Sequence, residues 1–349
     1  MEQKTGSKSK GKDNWKLRRL CFNSLVYAFI VLYSVITILP FYFMFIRSFV
    51  PTRKSTELHI WIPKADDLSM NASFGNLATY FSLNLKKFKR DFEITGYVDP
   101  NMTLEQVAEH YNIEEQEIKK YLTPYIVFSG WMTLLTSKNF FRSLFSTVYI
   151  VSVSLVVGGL LSISTGSVLA RFRKRWHVVV YNSYLLQIII PPIMVIIPVY
   201  LILTHYIGLR NSYLSLILLY IKGGAVSTMV FTGYFASLPK ELKESVFIDG
   251  GGQVRYFGSI ILPLSSTPFA SYIVVHVPIF WNNLIYGFVF LKPEKQPIVP
   301  LITSLSSEYA TNFQAIYSAL FISVLPLLAL YLLFQKMFIR SALAGAVKE

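Results

Sequence analysis

Five histidines, His59, His110, His177, His205 and His276, and a single cysteine, Cys21, are the imidazoles and the thiol that this chain offers for metal binding or nucleophilic chemistry. Their spacing suits neither task. No HExxH pair occurs, and one cysteine makes neither an internal disulfide nor a Cys-based metal site, so the histidines read as structural or interfacial. Gly250, Gly251 and Gly252 could open a phosphate loop, but the Lys and Ser/Thr that would grip a nucleotide do not follow them. The chain is therefore read as no enzyme, with no cofactor of its own. What remains is recognition chemistry. Gln187, Asn282 and Asn283 offer amide hydrogen bonds and Trp281 an aromatic face, a set that could hold a sugar, although packing between helices would use the same residues.

The elements that must position these groups suit a bilayer. With 53% hydrophobic and only 15% charged residues and a positive mean hydropathy, the chain is too apolar for a soluble domain of mixed surface. A formal charge of +14 would suit nucleic acid, but the basic residues cluster in short loops beside long apolar runs. That distribution follows membrane topology and argues against a nucleic-acid partner.

Residues 1–20 form a basic cytoplasmic tail, expected to be disordered, and 21–46 a first span, exceeding the roughly 20 residues a hydrocarbon core requires. After a polar stretch at 47–141, apolar runs return at 144–170, 178–203 and 214–235, in a fifth that extends to 291, and at 316–334. The expected fold is an all-α membrane protein with six transmembrane helices. Pro40 should kink the first, and Pro191, Pro192 and Pro198 must bend or break the third. Gly158, Gly159 and Gly166 should let another helix approach the second. Arg171, Arg173, Lys174 and Arg175 belong in the cytoplasm by the positive-inside rule. Alternation then puts both termini and 238–264 inside, and 47–141 with the loops around Arg210 and Lys292 outside.

Lys222 interrupts the fourth run, where a charge is tolerable only beside water, a carbonyl or an acid. It is expected to face the protein interior, with snorkelling to an interface as the other reading.

Within 47–141, Thr103 before Glu105 and Gln106 opens a pattern whose apolar members are Leu104, Val107, Ala108, Tyr111, Ile113, Ile118 and Leu122, spaced for two short helices. This extracytoplasmic insertion, about 83–129, would close a minimal core. Glu105, Glu109, Glu114, Glu115 and Glu117 would present an acidic face to a basic partner. A flexible tether is the competing reading.

Charge, glycine and proline meet most densely at 238–264, LPKELKESVFIDGGGQVRYFGSIILPL. Pro239 suits a first helical turn, and Glu241 and Glu244 the positive end of the helix dipole. The three glycines should end that helix. A second would carry Val254, Phe257, Ile260 and Ile261 on its apolar face, with Pro263 at a bend. Glu244-Ser245-Val246, Asp249-Gly250 and Ile261-Leu262-Pro263 resemble the EAA loop of ABC importer permeases, which runs Glu-Ala-Ala, two residues, Asp-Gly and a later Ile-x-Leu-Pro. Ser245 and Val246 depart from the usual alanines but are also small.

The resemblance covers most of 140–349. It includes Pro191-Pro192 with Ile197-Pro198-Val199-Tyr200, Gly208-Leu209-Arg210-Asn211-Ser212, and Trp281-Asn282-Asn283 with Phe290-Leu291. The ending, Gln335-Lys336 to Ala344-Gly345-Ala346-Val347-Lys348, is similar to that of the smaller six-span permease of maltose-type carbohydrate importers; Lys222 departs from a position usually neutral in the family.

That resemblance implies a bacterial cell-membrane permease subunit of an ATP-driven, binding-protein-dependent sugar or oligosaccharide importer. Its partners would be a second permease in a heterodimer, an ATPase dimer holding ATP and Mg, and an extracytoplasmic solute-binding protein. Glu244, Ser245, Val246, Asp249 and Gly250 would couple to the ATPase, and Lys222, Gln187, Trp281, Asn282 and Asn283 would border the path. An importer of another polar solute stays open. An ion-coupled secondary transporter would need internal repeats and mid-membrane ionisable groups, of which Lys222 alone is present.

Overall fold

The computed structural model describes residues 7–51, 60–64, 70–75, 84–171, 175–221, 224–305 and 312–346. His59, Arg173, Lys174, Lys222, Gly223 and the last residues of the C-terminal motif lie outside them. The described residues are helical apart from turns, short irregular stretches and one isolated antiparallel bridge, Ser73 to Thr103. They form two compact units, Met1–Trp131 with Asn312–Phe321, and Met132–Thr311 with Ile322–Glu349.

The first unit opens with α1, Ser7–Arg47. The stretch expected to be a disordered tail is helical from Ser7, because lengthening a helix already begun needs no new nucleus. Beyond it the chain turns through Ser48–Val50, where Phe45, Phe49, Phe128, Trp131 and Phe321 pack ring against ring. Trp131 Nε1 donates to Ser48 Oγ at 3.1 Å.

Three short helices follow, α2 (Leu85–Asp91), α3 (Leu104–His110) and α4 (Glu115–Val127), then α5 (Ser129–Thr136). The expected helix start at Thr103 takes the form of a capping box: Thr103 Oγ1 accepts from Gln106 N at 3.2 Å, and Gln106 Oε1 accepts from Thr103 N at 2.9 Å. Leu104, Val107, Ala108, Ile118 and Leu122 are buried as their spacing requires. The core is larger than that pattern shows. Met70, Phe74, Phe88, Ile94 and Val98 complete it, while Tyr111 sits at its edge. The segment 70–75 joins it by backbone bonds, Phe74 N to Met102 O at 2.8 Å and Leu104 N to Ala72 O at 3.0 Å. Tyr121 donates to Asp91 Oδ2 at 2.8 Å, and burial together with that bond pushes its phenol pKa up.

The second unit is built on α6, Lys138–Arg171. Around it stand α7 (Arg175–Ile189), α8 (Pro192–Tyr206), α9 (Tyr213–Ile221), α10 (Ala225–Ala236) and α13 (Ser266–Trp281), of which α9, α10 and α13 pack on α6 itself and α7 packs on α10. Between α10 and α13 stand α11 (Glu241–Ile248) and α12 (Gln253–Leu264); α14 (Ile285–Phe290), α15 (Ile298–Ser304) and α16 (Phe313–Ala346) end the chain. Three helical stretches, Arg19–Arg47, Lys138–Arg171 and Phe313–Lys336, are long and apolar enough to cross a membrane. Three bent pairs, α7 with α8 at 99°, α9 with α10 at 44° and α12 with α13 at 63°, give six crossings when each counts as one.

The 99° break falls at Pro191 and Pro192, as the prolines demand. The break between α9 and α10 was not expected, and the fifth span stops at Trp281, ten residues before its expected end at 291, because the chain turns at Asn282–Leu284. The sixth helix begins at Phe313 rather than 316, where Asn312 Oδ1 accepts from Ala315 N at 2.9 Å. Gly166 on α6 lets α10 come close: a Cβ there would stand 2.6 Å from that of Phe231 and 3.0 Å from Thr232 N.

Loops assigned to one side of the membrane are neighbours. Lys292 N donates to Asn211 Oδ1 at 3.0 Å and Lys295 Nζ to Asn211 O at 3.1 Å. At the opposite set of loops, Arg171 Nη2 reaches Pro239 O at 3.5 Å.

Candidate coupling knuckle and membrane cavity

The knuckle is short, and its ends decide its shape. Pro239 stands before the helix instead of in its first turn; Lys240 is the boundary residue, its carbonyl accepting from Lys243 N at 2.9 Å and Glu244 N at 3.2 Å. Glu241 and Glu244 occupy the first turn, where the unsatisfied N–H groups favour negative charge. The exit carries both bonds of a Schellman motif, Gly250 N to Phe247 O at 3.1 Å and Gly251 N to Val246 O at 2.8 Å. Gly250 has φ +75°, a left-handed conformation that a side chain would strain. Gly251 is needed for space, since a Cβ would lie 2.7 Å from Val246 Cγ1 and 2.8 Å from Val246 O.

No residue of α11 is buried. Leu242, Lys243 and Val246 form its half-covered inner side, while Glu244, Ser245, Asp249 and Gly250 are exposed and Ile248 is 84% exposed. The helix thus shows solvent a small acidic surface with an apolar tip. In α12, Tyr256 and Ile261 are buried and Phe257 and Ile260 partly so, but Val254, expected on the packed face, is 87% exposed.

A cavity of about 650 Å³ opens where α8, α9 and α13 approach the turn into α14. Asn282 and Asn283 line it, with Tyr220, His276, Phe280 and Tyr286. Asn283 Oδ1 accepts from Tyr286 N at 2.9 Å, which leaves its amide hydrogens as donors. His276 Nδ1 lies 2.9 Å from Tyr272 O; a carbonyl only accepts, so Nδ1 carries a proton, and Nε2 is an acceptor whenever the ring is neutral. Tyr220 and Phe280 stack at 4.5 Å. These polar groups and ring faces stand among apolar walls formed by Pro192, Ile193, Ile196 and Leu219.

Of the other residues singled out from sequence, Trp281 is 3% exposed, with its indole nitrogen unpartnered among the described residues. Gln187 is exposed and does not line the cavity, and Lys222 lies outside the described residues. His276, Tyr220 and Tyr286 had no motif to announce them. They are brought together by the fold across more than sixty positions, and only the lone histidine in an apolar run hinted at it.

Residues 158–343, just over half of the chain, match the family described as binding-protein-dependent transport system inner membrane component. The melibiose/raffinose/stachyose import permease protein MelC of Bacillus subtilis is 26% identical over 224 residues, covering 63% of this chain and 79% of MelC. The diacetylchitobiose uptake system permease protein NgcG of Streptomyces coelicolor is 26% identical over 226 residues, 64% of this chain and 73% of NgcG. Among solved structures, a chain of a bacterial ABC transporter involved in import of the acidic polysaccharide alginate superposes with a TM-score of 0.61 at 15% identity, over 96% of this chain and 99% of that one.

Proposed function

Because this chain belongs to the family of binding-protein-dependent transport system inner membrane components, we propose that it is the smaller, six-span permease subunit of an ATP-driven importer of a sugar or oligosaccharide. Its family is one of transporter subunits, not enzymes. The reading is carried by α11, an eight-residue helix closed by a glycine motif yet burying none of its residues. Such a helix needs a second surface to complete it, and its place between two bent spans lets it pass a push on to them.

In this scheme a separate ATPase dimer binds ATP and Mg and receives α11. Glu244 pairs with a basic residue there, and Ser245, Val246, Asp249 and Gly250 shape the contact. A second permease completes the path, and Asn282 and Asn283 border it beside the 650 Å³ cavity. Both termini and the knuckle face the cytoplasm. The insertion faces outward and contacts the solute-binding protein or the partner permease; its closed core and exposed Glu105, Glu109, Glu114, Glu115 and Glu117 support a rigid module over a tether.

Glu244→Ala, reconstituted with all partner subunits, should insert normally while binding-protein-stimulated uptake falls about tenfold, the loss expected for one charge-assisted contact. Unchanged uptake with unchanged transport-linked ATP hydrolysis would refute the coupling role.

A further inference from the structure

A second, smaller hollow has no part in the scheme so far. It is a groove of about 280 Å³ between the last turns of α6 and the knuckle. Its polar wall carries Arg171, Lys243, Gln253 and Tyr256, and its apolar wall includes Val168 and Val254. The polar groups are rich in hydrogen-bond donors, two of them cationic, and none of the knuckle acids Glu241, Glu244 or Asp249 lines the groove.

Two of those donors are buried with no partner among the described residues. Tyr256 is 4% exposed, and its hydroxyl has no partner among the described residues. Arg171 Nε is also buried without a partner among the described residues, although Nη2 of the same guanidinium reaches Pro239 O. Native proteins rarely leave such groups unsatisfied unless something else supplies the acceptor. A phosphate oxyanion supplies several acceptor oxygens and the opposite charge at once, and guanidinium is its preferred partner. An apolar wall beside the cations would accept a hydrocarbon continuation of the same molecule.

We propose that this groove binds a phosphate-bearing anion, which bridges Arg171 at the end of α6 to Lys243, Gln253 and Tyr256 of the knuckle. Both flanking elements contribute donors, so occupancy ties the coupling helix to the span behind it and stabilises that arrangement by mass action. An anionic phospholipid headgroup and a small phosphorylated solute share this chemistry.

The test uses the assembled transporter in detergent, followed by thermal unfolding. Dioleoyl phosphatidylglycerol, dioleoyl phosphatidylcholine, glycerol 3-phosphate and inorganic phosphate are titrated separately. The wild-type complex should gain thermal stability from phosphatidylglycerol but not phosphatidylcholine, and Arg171→Gln and Tyr256→Phe should each weaken the apparent affinity about tenfold. A matching gain from glycerol 3-phosphate or inorganic phosphate assigns the source to a soluble anion; its absence assigns it to lipid. Tyr256→Phe removes one oxygen and keeps the packing, so it decides the matter should Arg171→Gln fail to assemble. Without any anion that variant should be at least as stable as wild type, since an unpartnered hydroxyl has gone. No gain from any phosphate, or a gain both variants retain in full, overturns the proposal. So does a loss of ATPase-subunit association in the variants without any anion response, which would mean that the ATPase covers the groove.

Discussion

The insertion and the knuckle are made of similar parts and finished differently. Each uses helices of seven to thirteen residues joined by positive-φ turns, at Glu93 and Asn112 in one and at Gly250 in the other. Helices this short do not persist alone in water, so something must hold them. In the insertion it is a shared core into which Phe88, Val107 and Ile118 disappear completely. In the knuckle it is the covalent frame of the flanking spans and the two Schellman bonds, while Ile248 and Val254 stay in the open. One region closes its core within the chain; the other keeps its outer side open to solvent.

That contrast can be broken by substitution. The largest effect belongs to Ile118→Ala, which should destabilise the insertion by about 2–5 kcal/mol through lost burial and a cavity. Limited proteolysis should then cut within 84–127 while the spans survive, and a variant as resistant as wild type would show that the core is not what holds these helices. Next comes Gly251→Val. Its branched side chain has no room beside Val246 Cγ1 and O, and overpacking of about 1–3 kcal/mol should open the turn, seen as faster amide exchange at Gly250 and at the substituted residue itself. The smallest stability effect is expected of Ile248→Ala, within about 0.5 kcal/mol because the side chain is already exposed. Affinity for the ATPase subunit should nonetheless fall, measured by co-purification at increasing salt. A drop in stability like that of Ile118→Ala would erase the distinction between the two regions.

What could be read in advance followed from local rules. The capping box at Thr103, the left-handed exit at Gly250, the break at Pro191-Pro192 and the close approach at Gly166 each depend on a few adjacent residues whose backbone consequences are fixed by sterics or hydrogen bonding. Features requiring distant segments were less visible. Phe74 and Phe88 enter the insertion core from outside the helical pattern that marked it, and His276, Tyr220 and Tyr286 meet only after α9, α13 and α14 are in place. Periodicity also misled at Val254: it lies at a position fit for the apolar face, but it alone stands in the open while Phe257, Ile260 and Ile261 turn inward. The expected end of the fifth span ran past Trp281 because Ile285–Phe290 is apolar too, and composition alone does not show that the chain turns between them.

The glutamine at the start of α16 has a mechanical consequence. Gln314 is 1% exposed; its amide donates to the carbonyls of Ile126 and Val127, its oxygen accepts from Ser129 Oγ, and Gly130 leaves no gap between the two backbones. These bonds clasp the end of α4 to the first turns of α16 like a rivet through two beams. A load applied to the insertion is therefore not absorbed by slack in a loop. It arrives as torque on the opening turns of the final helix, nearly two hundred residues further along the chain.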